Sequence, residues 1–301
     1  MHIAITGSTG FIGSALIQWF TSEQHSLTRL VRDPAFKDPR HQIALWNPQK
    51  KIIHLSSLEA HDVVIHLAGE NIAKKKWTEE QKNKIKESRV QGTTFLCDSL
   101  ARLQNPPKLL LSASAIGFYG NRSAQEKIDE SSLPGQGFLP EVAQAWEKAT
   151  DVAQKRGIRV IHMRFGLVLA RHGGALSRML PLFKAGLGGR IGSGKQMMSW
   201  ISLYEIGPVI SHVMMHKEIS GPVNFVSPEP LSNEEFSSVL ARSLSRPALF
   251  PLPAFMARLL LGEMAEELLL SGAAIIPKKL KESGYVFKFP SLQEALRHVL
   301  Q

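Results

Sequence analysis

The sequence has 301 residues, 44% of them hydrophobic and 21% charged. This composition excludes a largely disordered chain, and the length suffices for one large hydrophobic core with an appended lobe. The formal net charge is +10, but the lysine clusters at 74–76 and 278–281 lack the interleaved aromatic residues of single-strand binders. We therefore expect no nucleic-acid partner and interpret the charge as solvated lysines that attract small anions.

A glycine-rich turn follows the first apolar run of the chain. The run ends at Gly7, Gly10 and Gly13, and the sequence then continues with the spacing of a helix. Strand, glycine turn and helix together predict a backbone that closely approaches a diphosphate, with the first helical amides directed at it. We expect this loop to bind a dinucleotide through Gly7, Ser8, Thr9, Gly10, Phe11, Ile12 and Gly13.

The end of the second predicted strand, 27–31, indicates which dinucleotide binds. NAD enzymes place an acidic residue there for the ribose hydroxyls, whereas a cation accommodates the 2′-phosphate of NADP. Arg32 follows this strand and can bind a phosphate with its planar guanidinium, and Arg29 and Lys37 add positive charge nearby. Asp33 comes next, where it would serve NAD, pair with Arg32 or start a turn. We favour NADP, with NAD as the alternative.

Strands and helices then alternate in the order typical of a doubly wound parallel sheet. Further strands are predicted at 42–46, 63–68, 108–112, 159–169 and 222–226. Helices are predicted at 81–103, 140–156 and 175–184, and capping boxes precede three helices at Thr78 with Gln81, Ser232 with Glu235, and Ser291 with Glu294. We expect a dinucleotide-binding domain over 1–230 and a smaller, mainly helical domain over 231–301, with the glycine-rich part 172–200 packed against the second.

The spacing Gly-x-x-Gly-x-x-Gly, with Thr6 before it, resembles the extended branch of the short-chain dehydrogenase/reductase superfamily. Other segments are similar to one atypical, epimerase-like family that resembles the nucleotide-sugar epimerases and has a C-terminal domain of unassigned function. These segments are Ala-Gly-Glu-Asn-Ile at 68–72, Gly-Phe-Tyr-Gly at 117–120, Ala-Trp-Glu at 145–147, Gly-Arg-Ile-Gly-Ser-Gly at 189–194 and Asn-Glu-Glu-Phe at 233–236. The resemblance implies an NAD(P)-binding Rossmann fold with a C-terminal lobe that binds substrate.

The same resemblance implies further cofactor contacts. Leu67, Ala68 and Gly69, which follow a core strand, would lie along the adenosine ribose and the pyrophosphate. Arg89 stands where the superfamily usually has a helix asparagine, within reach of a cofactor phosphate or an acidic substrate. Arg164 and Val168 would form a wall on the nicotinamide side, with core packing as the alternative for Val168.

Catalysis is less clearly specified, because the superfamily's tyrosine and the lysine four residues after it are absent. The lysine normally lowers the pKa of the tyrosine and holds the nicotinamide ribose. The residues four positions after the tyrosines are Ser123 after Tyr119, Pro208 after Tyr204 and Phe289 after Tyr285. We expect Ser114 to orient a carbonyl and Tyr119 to transfer a proton, with a pocket-wall role as the alternative for Tyr119. Glu141 and Glu147, on the helix where the pair is missing, are further alternatives, with surface or cap roles favoured.

Two functions are compatible with these features. The first is an NADP-dependent oxidoreductase or nucleotide-sugar-epimerase-like enzyme that acts on a small carbonyl or sugar-type substrate, and the second is a non-catalytic NADP(H)-binding sensor. The single Cys97 permits no disulfide and no cysteine metal cluster, so we expect no metal. Without an export signal or a membrane-spanning segment, the expected location is the cytoplasm. The oligomeric state is left open.

Overall fold

The computed structural model describes all 301 residues, and a central sheet organises it. The strands are β1 (His2–Thr6), β2 (Ser26–Val31), β3 (Gln42–Asn47), β4 (Ile52–Ile53), β5 (Val63–His66), β6 (Leu109–Ala115), β7 (Lys127–Ile128), β8 (Arg159–Phe165), β9 (Leu167–Leu169), β10 (Met197–Met198), β11 (Trp200–Ser202), β12 (Gly221–Phe225), β13 (Leu231–Ser232) and β14 (Ala274–Ile275). The α-helices are α1 (Phe11–Ser22), α2 (Glu79–Ala101), α3 (Phe138–Lys148), α4 (Asp151–Lys155), α5 (Gly174–Lys184), α6 (Leu203–Met215), α7 (Asn233–Ser243), α8 (Ala254–Leu261), α9 (Glu263–Ala265), α10 (Lys278–Glu282) and α11 (Leu292–Leu300).

The sheet has eight strands in the order β12-β8-β6-β5-β1-β2-β3-β4. All neighbouring pairs are parallel except β3 with β4. The chain begins in the middle, proceeds from β1 to β2 and β3, and then returns to the other side of β1 with β5. This reversal between β1 and β5 opens a crevice at the carboxyl ends of the strands, the place where such sheets bind ligands. The predicted doubly wound fold is confirmed.

Successive side chains of each strand point to opposite faces of the sheet, and helices pack on both faces. Ile3 and Ile5 of β1 pack in a cluster with α1 and α6, whereas Ala4 between them packs with α2 and α4 on the opposite face. A third cluster joins Trp200 and α5 to Phe236 of α7 and to α11. The helix inside the glycine-rich part therefore packs with C-terminal helices, while the domain boundary at 230 stays a prediction. None of the helices combines the length and apolar character needed to cross a membrane.

Two predicted elements are divided in the structure. The predicted strand 159–169 breaks at Gly166, where the chain leaves β12 and continues as β9 to pair with β11. Position 166 requires glycine because a Cβ there would lie 2.7 Å from the carbonyl oxygen of Ser199. The predicted helix 140–156 breaks into α3 and α4. At the break, the hydroxyl of Thr150 donates to the carbonyl of Glu147 at 2.7 Å and bonds to the ring of His162 at 2.9 Å.

The predicted capping boxes at Ser232 and Ser291 are complete, with both reciprocal hydrogen bonds present. At Thr78 only half of the predicted box forms: the Thr78 hydroxyl accepts the amide of Gln81 at 3.2 Å. Acidic residues in the first turn of α2 supplement this cap by interacting with the positive end of the helix dipole.

Candidate functional site

The loop between β1 and α1 requires glycine at two places. Gly7 has a φ of +66°, and a Cβ on it would lie 2.8 Å from the carbonyl carbon of Leu67. A Cβ on Gly13 would lie 2.2 Å from the carbonyl oxygen of Gly7. The Gly10 amide bonds to that same oxygen at 2.9 Å, and no side chain caps α1. The first amides of α1 have no partner within the helix and are therefore free to bind an anion. The glycines leave room for that anion, since a Cβ at Gly7 or Gly13 would fill the space.

The remaining residues of the loop point in different directions. Thr9 is exposed, whereas Ile12 packs against the main core of the sheet. The ring of Phe11 lies against the start of α5, where a Cβ on Gly173 would come within 2.6 Å of it and one on Gly174 within 3.1 Å. The loop between β1 and α1 therefore contacts the glycine-rich part of the chain directly.

The end of β2 brings positive charge to this loop. Arg29 donates from Nε to the Ser8 hydroxyl and from Nη2 to the Ser8 carbonyl, both at 3.2 Å, and Nη1 pairs with Asp38 at 2.6 Å. Arg32 is exposed and has no side-chain partner in the protein. The Asp33 carboxylate accepts the backbone amide two residues later at 2.9 Å, so Asp33 starts a turn. Arg29 orders the loop while Arg32 remains free for a ligand.

The predicted strand 63–68 ends at His66, and the two residues after it form the floor beside Gly7. Thr6 Oγ1 accepts the amides of Leu67 at 3.1 Å and Ala68 at 3.3 Å. Their backbone is held so close to Gly7 that only a residue without a Cβ fits opposite. The structure thus brings Leu67 and Ala68 to the loop between β1 and α1.

A buried chain of hydrogen bonds continues from this floor to α3. Because both lone pairs of Thr6 Oγ1 are used, its proton goes to His66 Nδ1 at 2.7 Å. His66 Nε2 then donates to Thr93 Oγ1 at 3.0 Å, and the indole of Trp146 donates to the same oxygen at 3.0 Å. Burial lowers the pKa of His66 to about 4, so the ring stays neutral and both nitrogens are occupied. His66 is a structural residue.

Arg89 lies on α2 at the carboxyl end of β5. Its Nη1 donates to the carbonyl oxygens of Glu70 at 3.0 Å and Ile85 at 3.1 Å. The guanidinium carbon is 5.0 Å from the centre of the Trp146 ring, and a Cβ on Gly69 would be only 3.5 Å from it. Burial lowers the pKa of Arg89 to about 10, which leaves the side chain charged at neutral pH. Gly69 and Arg89 are therefore in contact beside the floor of the loop.

Ser114 and Tyr119 belong to one buried network centred on an ion pair. Arg164 binds the Glu147 carboxylate through Nε and Nη2, both at 2.8 Å, and Ser114 donates to the same carboxylate at 2.7 Å. Arg164 Nη1 donates to the Tyr119 hydroxyl, which donates to Asn224 Oδ1, each at 2.8 Å. Tyr119 has no exposed surface, and burial raises its pKa to about 12. With its proton on a carboxylate, the hydroxyl of Ser114 can only accept a hydrogen bond from a ligand.

The ion pair was not predicted from the sequence, which favoured a surface or cap role for Glu147. The signal was Arg164 itself, since a cation inside an apolar strand requires a buried partner. Val168 is half-buried in β9 and packs against the main core. On α3, Leu139 lies against Gly117, Ala143 is buried, and the Glu147 carboxylate is occupied by Arg164 and Ser114. The assignments of Ser114 and Tyr119 to catalysis stay predictions.

The order of strands, the glycine-walled loop at the reversal and the free cation after β2 together define a dinucleotide-binding protein of the Rossmann type. The sequence pattern of the NAD dependent epimerase/dehydratase family matches residues 3–224, and a domain of unknown function, DUF1731, matches residues 252–299. The chain belongs to the NAD dependent epimerase/dehydratase family.

Relatives match over the full length. The epimerase family protein ML0860 of Mycobacterium leprae is 39% identical over 98% of this chain and 94% of its own length. The crystal structure of human epimerase family protein SDR39U1 (isoform 2) with NADPH superposes with a TM-score of 0.88 at 31% identity, covering 99% of both chains. UDP-glucose 4-epimerase of Thermotoga maritima with UDP-glucose superposes with a TM-score of 0.78 over 100% of this chain and 97% of its own, but at 16% identity it supports the fold alone.

Proposed function

We propose that this protein binds NADP(H) and uses it for hydride transfer with a small carbonyl or sugar-type substrate. The observation that carries the proposal is the cradle at Gly7 and Gly13, which is closed to any side chain yet bordered by uncapped helical amides. The free guanidinium of Arg32 favours NADP(H) over NAD(H). The similar human protein was crystallised with NADPH, which supports the same choice. When bound, the nicotinamide would supply or accept the hydride, and the accompanying proton would be exchanged with solvent water.

The residues of the chain would divide the work of binding. The loop amides and the floor at Leu67 and Ala68 would hold the diphosphate, and Arg32 would bind the 2′-phosphate. Ser114 would accept a hydrogen bond from a substrate hydroxyl, because Glu147 takes its proton. Tyr119 would position Arg164 without transferring a proton, since its hydroxyl is occupied on both sides.

A second function is favoured by one specific observation. The helix that carries the tyrosine and lysine in the superfamily contains no tyrosine here, and Tyr119 is buried in the network around Arg164. A protein that binds NADP(H) and responds to its redox state without turnover would need no proton donor. The cofactor loop is compatible with both functions, so turnover alone separates them.

The remaining proposals concern partners and compartment. A small-molecule substrate is proposed as the partner, with neither nucleic acid nor membrane. Cys97 is free and buried, as is common for thiols in a reducing compartment, and the cytoplasm stays the proposed location.

Turnover is tested by following NADPH oxidation against a panel of aldehydes, ketones and nucleotide sugars. We expect Ser114→Ala to lower the rate about tenfold, the value of one hydrogen bond, without changing NADPH affinity. We expect Tyr119→Phe to lower the free energy of unfolding by about 1–3 kcal/mol, because it leaves Arg164 Nη1 without an acceptor, and to leave the rate of the folded protein unchanged. A panel without any turnover would favour the sensor function, and a slow but fully stable Tyr119→Phe would restore proton transfer to Tyr119.

Cofactor choice is tested by Arg32→Ala. Loss of charge-assisted bonds to the 2′-phosphate should weaken NADPH binding by about 10- to 100-fold, whereas NADH binding should change less than about twofold. Calorimetric titration of both cofactors measures this difference. Arg242→Ala on α7 removes one exposed charge far from the loop and is the control for the general effect of net charge. Equal losses for NADPH and NADH would refute the assignment of Arg32.

A further inference from the structure

A groove between α1 and α6 has no part in the proposed function. It shares only Ile12 with the predicted cofactor residues. Its volume is about 700 Å³, within the range of small-molecule sites. Residues of α1 and α6 form its floor, and the segment between α10 and α11, together with α11, forms its wall.

The floor of the groove is fixed by close packing of the two helices. A Cβ on Gly207 would lie 2.5 Å from Cγ of Trp19, so the indole ring lies directly on the backbone of α6. The Nε1 of this ring donates to Ser211 Oγ at 3.1 Å, which fixes its orientation. Ala15 and Ile206 add further apolar surface. A floor held in this way is formed before a ligand arrives, which lowers the cost of binding.

A buried carboxylate holds the wall in place. Glu205 has no exposed surface, and it accepts the backbone amides of Lys288 at 3.1 Å and Phe289 at 2.9 Å. The hydroxyl of Tyr285 donates to the same carboxylate. These bonds fix Lys288 and Phe289 beside the groove, and they occupy both oxygens of Glu205 behind it.

The wall carries a row of three rings. The ring of His298 stacks on that of Phe289, with the centres 4.9 Å apart, and meets Tyr204 edge to face at 4.6 Å. Tyr204 is 53% exposed, so part of its ring is free to contact a ligand. Rings above an apolar floor favour an apolar chain or a flat apolar body between them.

The polar groups of the groove share one property, the ability to donate a hydrogen bond. Four side chains line the groove with donors and bond to no other group of the protein: Gln18, Tyr204, Lys288 and His298. Lys288 adds a full positive charge, and no acidic side chain lines the groove. An apolar body with an anionic end is therefore complementary to this surface in both polarity and charge.

We propose that the groove binds an amphipathic carboxylic acid, with its carboxylate at Lys288 and its apolar body between the floor and the three rings. The groove is then a second ligand site, separate from the cofactor crevice. Glu205 acts as a positioning residue, because it holds the segment that presents Lys288 and Phe289.

Titration calorimetry with decanoate, in the presence and absence of NADPH, tests the proposal. We expect one site per chain with a dissociation constant on the order of 100 μM, unchanged by NADPH. Decyltrimethylammonium has the same chain with the opposite charge and should bind at least about tenfold more weakly. Lys288→Gln should weaken decanoate about tenfold, the effect of one charge-assisted bond, without weakening decyltrimethylammonium.

Further variants test the position of the ligand. Ala15→Phe fills the floor and should weaken decanoate at least about tenfold. Tyr204→Ala removes one ring at an exposed position and should weaken decanoate about three- to tenfold, which keeps the test open if Ala15→Phe does not fold. Lys281→Gln removes an exposed charge outside the groove and should leave decanoate binding unchanged. Melting temperatures check that each variant is folded.

Several results would overturn the proposal. They are a wild type that does not bind decanoate, equal affinities for decanoate and decyltrimethylammonium, or groove variants that bind decanoate like the wild type. Competition between NADPH and decanoate would place the acid in the cofactor crevice instead. A dimer that Ala15→Phe dissociates would show that a second copy of the chain fills the groove. A protein that binds decanoate as expected but not NADPH would refute the proposed function and leave the groove site intact.

Discussion

Alanine at position 13 is expected to lower NADPH affinity by at least about 100-fold. Its Cβ would lie 2.2 Å from the carbonyl oxygen of Gly7 and 2.8 Å from Cα of Ser8, both backbone atoms that cannot rotate away. The loop would have to open, and the amides of α1 would no longer converge on a diphosphate. The same clash should lower the free energy of unfolding by about 1–3 kcal/mol. Calorimetric titration and urea denaturation measure the two effects.

Gly92→Ala is the matched control for this variant. Gly92 lies inside α2, where a Cβ would come no closer than 3.8 Å, to the ring of Trp46. Alanine there should keep NADPH affinity and raise the free energy of unfolding by about 0.5–1 kcal/mol through its higher helix propensity. If Gly13→Ala bound NADPH as tightly as Gly92→Ala, the diphosphate could not lie in this loop.

The second large effect is expected from Arg164→Met, which should lower the free energy of unfolding by about 3–5 kcal/mol. The substitution leaves the Glu147 carboxylate buried without its bidentate partner and removes a donor from Tyr119. The loss of stability comes from leaving the Glu147 carboxylate buried without a cation. Adding Glu147→Leu to Arg164→Met should therefore restore most of the free energy of unfolding. Denaturation of both single variants and the double variant completes the cycle.

An exposed ion pair is the control for the contribution of burial to the effect of Arg164→Met on stability. Lys84 pairs with Glu80 at the surface of α2, and Lys84→Met should leave stability almost unchanged. A double variant no more stable than Arg164→Met would mean that the network fails through lost packing and not through an unpaired charge. In that case Ser114 would owe its orientation to the surrounding side chains more than to Glu147.

The sequence was sufficient for features that depend on neighbours along the chain. The alternating pattern predicted the strands of the parallel sheet, and the spacing of Gly7, Gly10 and Gly13 predicted the loop that the structure forms. Boundaries were less accurate where distant residues intervene. The predicted strand 159–169 divides at Gly166 because its second part pairs with the distant strand β11, which no local pattern records.

The side-chain partners of the site depend on the folded arrangement. Glu147 and Arg164 are 17 residues apart and meet because α3 packs against β6, the strand next to β8. Arg29 reaches Ser8 because β1 and β2 are neighbours. Such pairs depend on sheet order and helix packing, so a single sequence can indicate that a buried charge needs a partner without identifying it. The glycine loop between β1 and α1 was therefore predictable from the sequence, whereas the polar network around Tyr119 was not.

The position of Phe11 has a kinetic consequence. Its ring fills a notch that exists only because residues 173 and 174 are glycines, and α5, which begins there, shares its apolar side with α7 and α11. We expect the ring to shift when coenzyme enters, and to shift with it α5 and the C-terminal helices that pack on α5. Coenzyme should consequently bind first and substrate second, and product inhibition patterns would display this compulsory sequence.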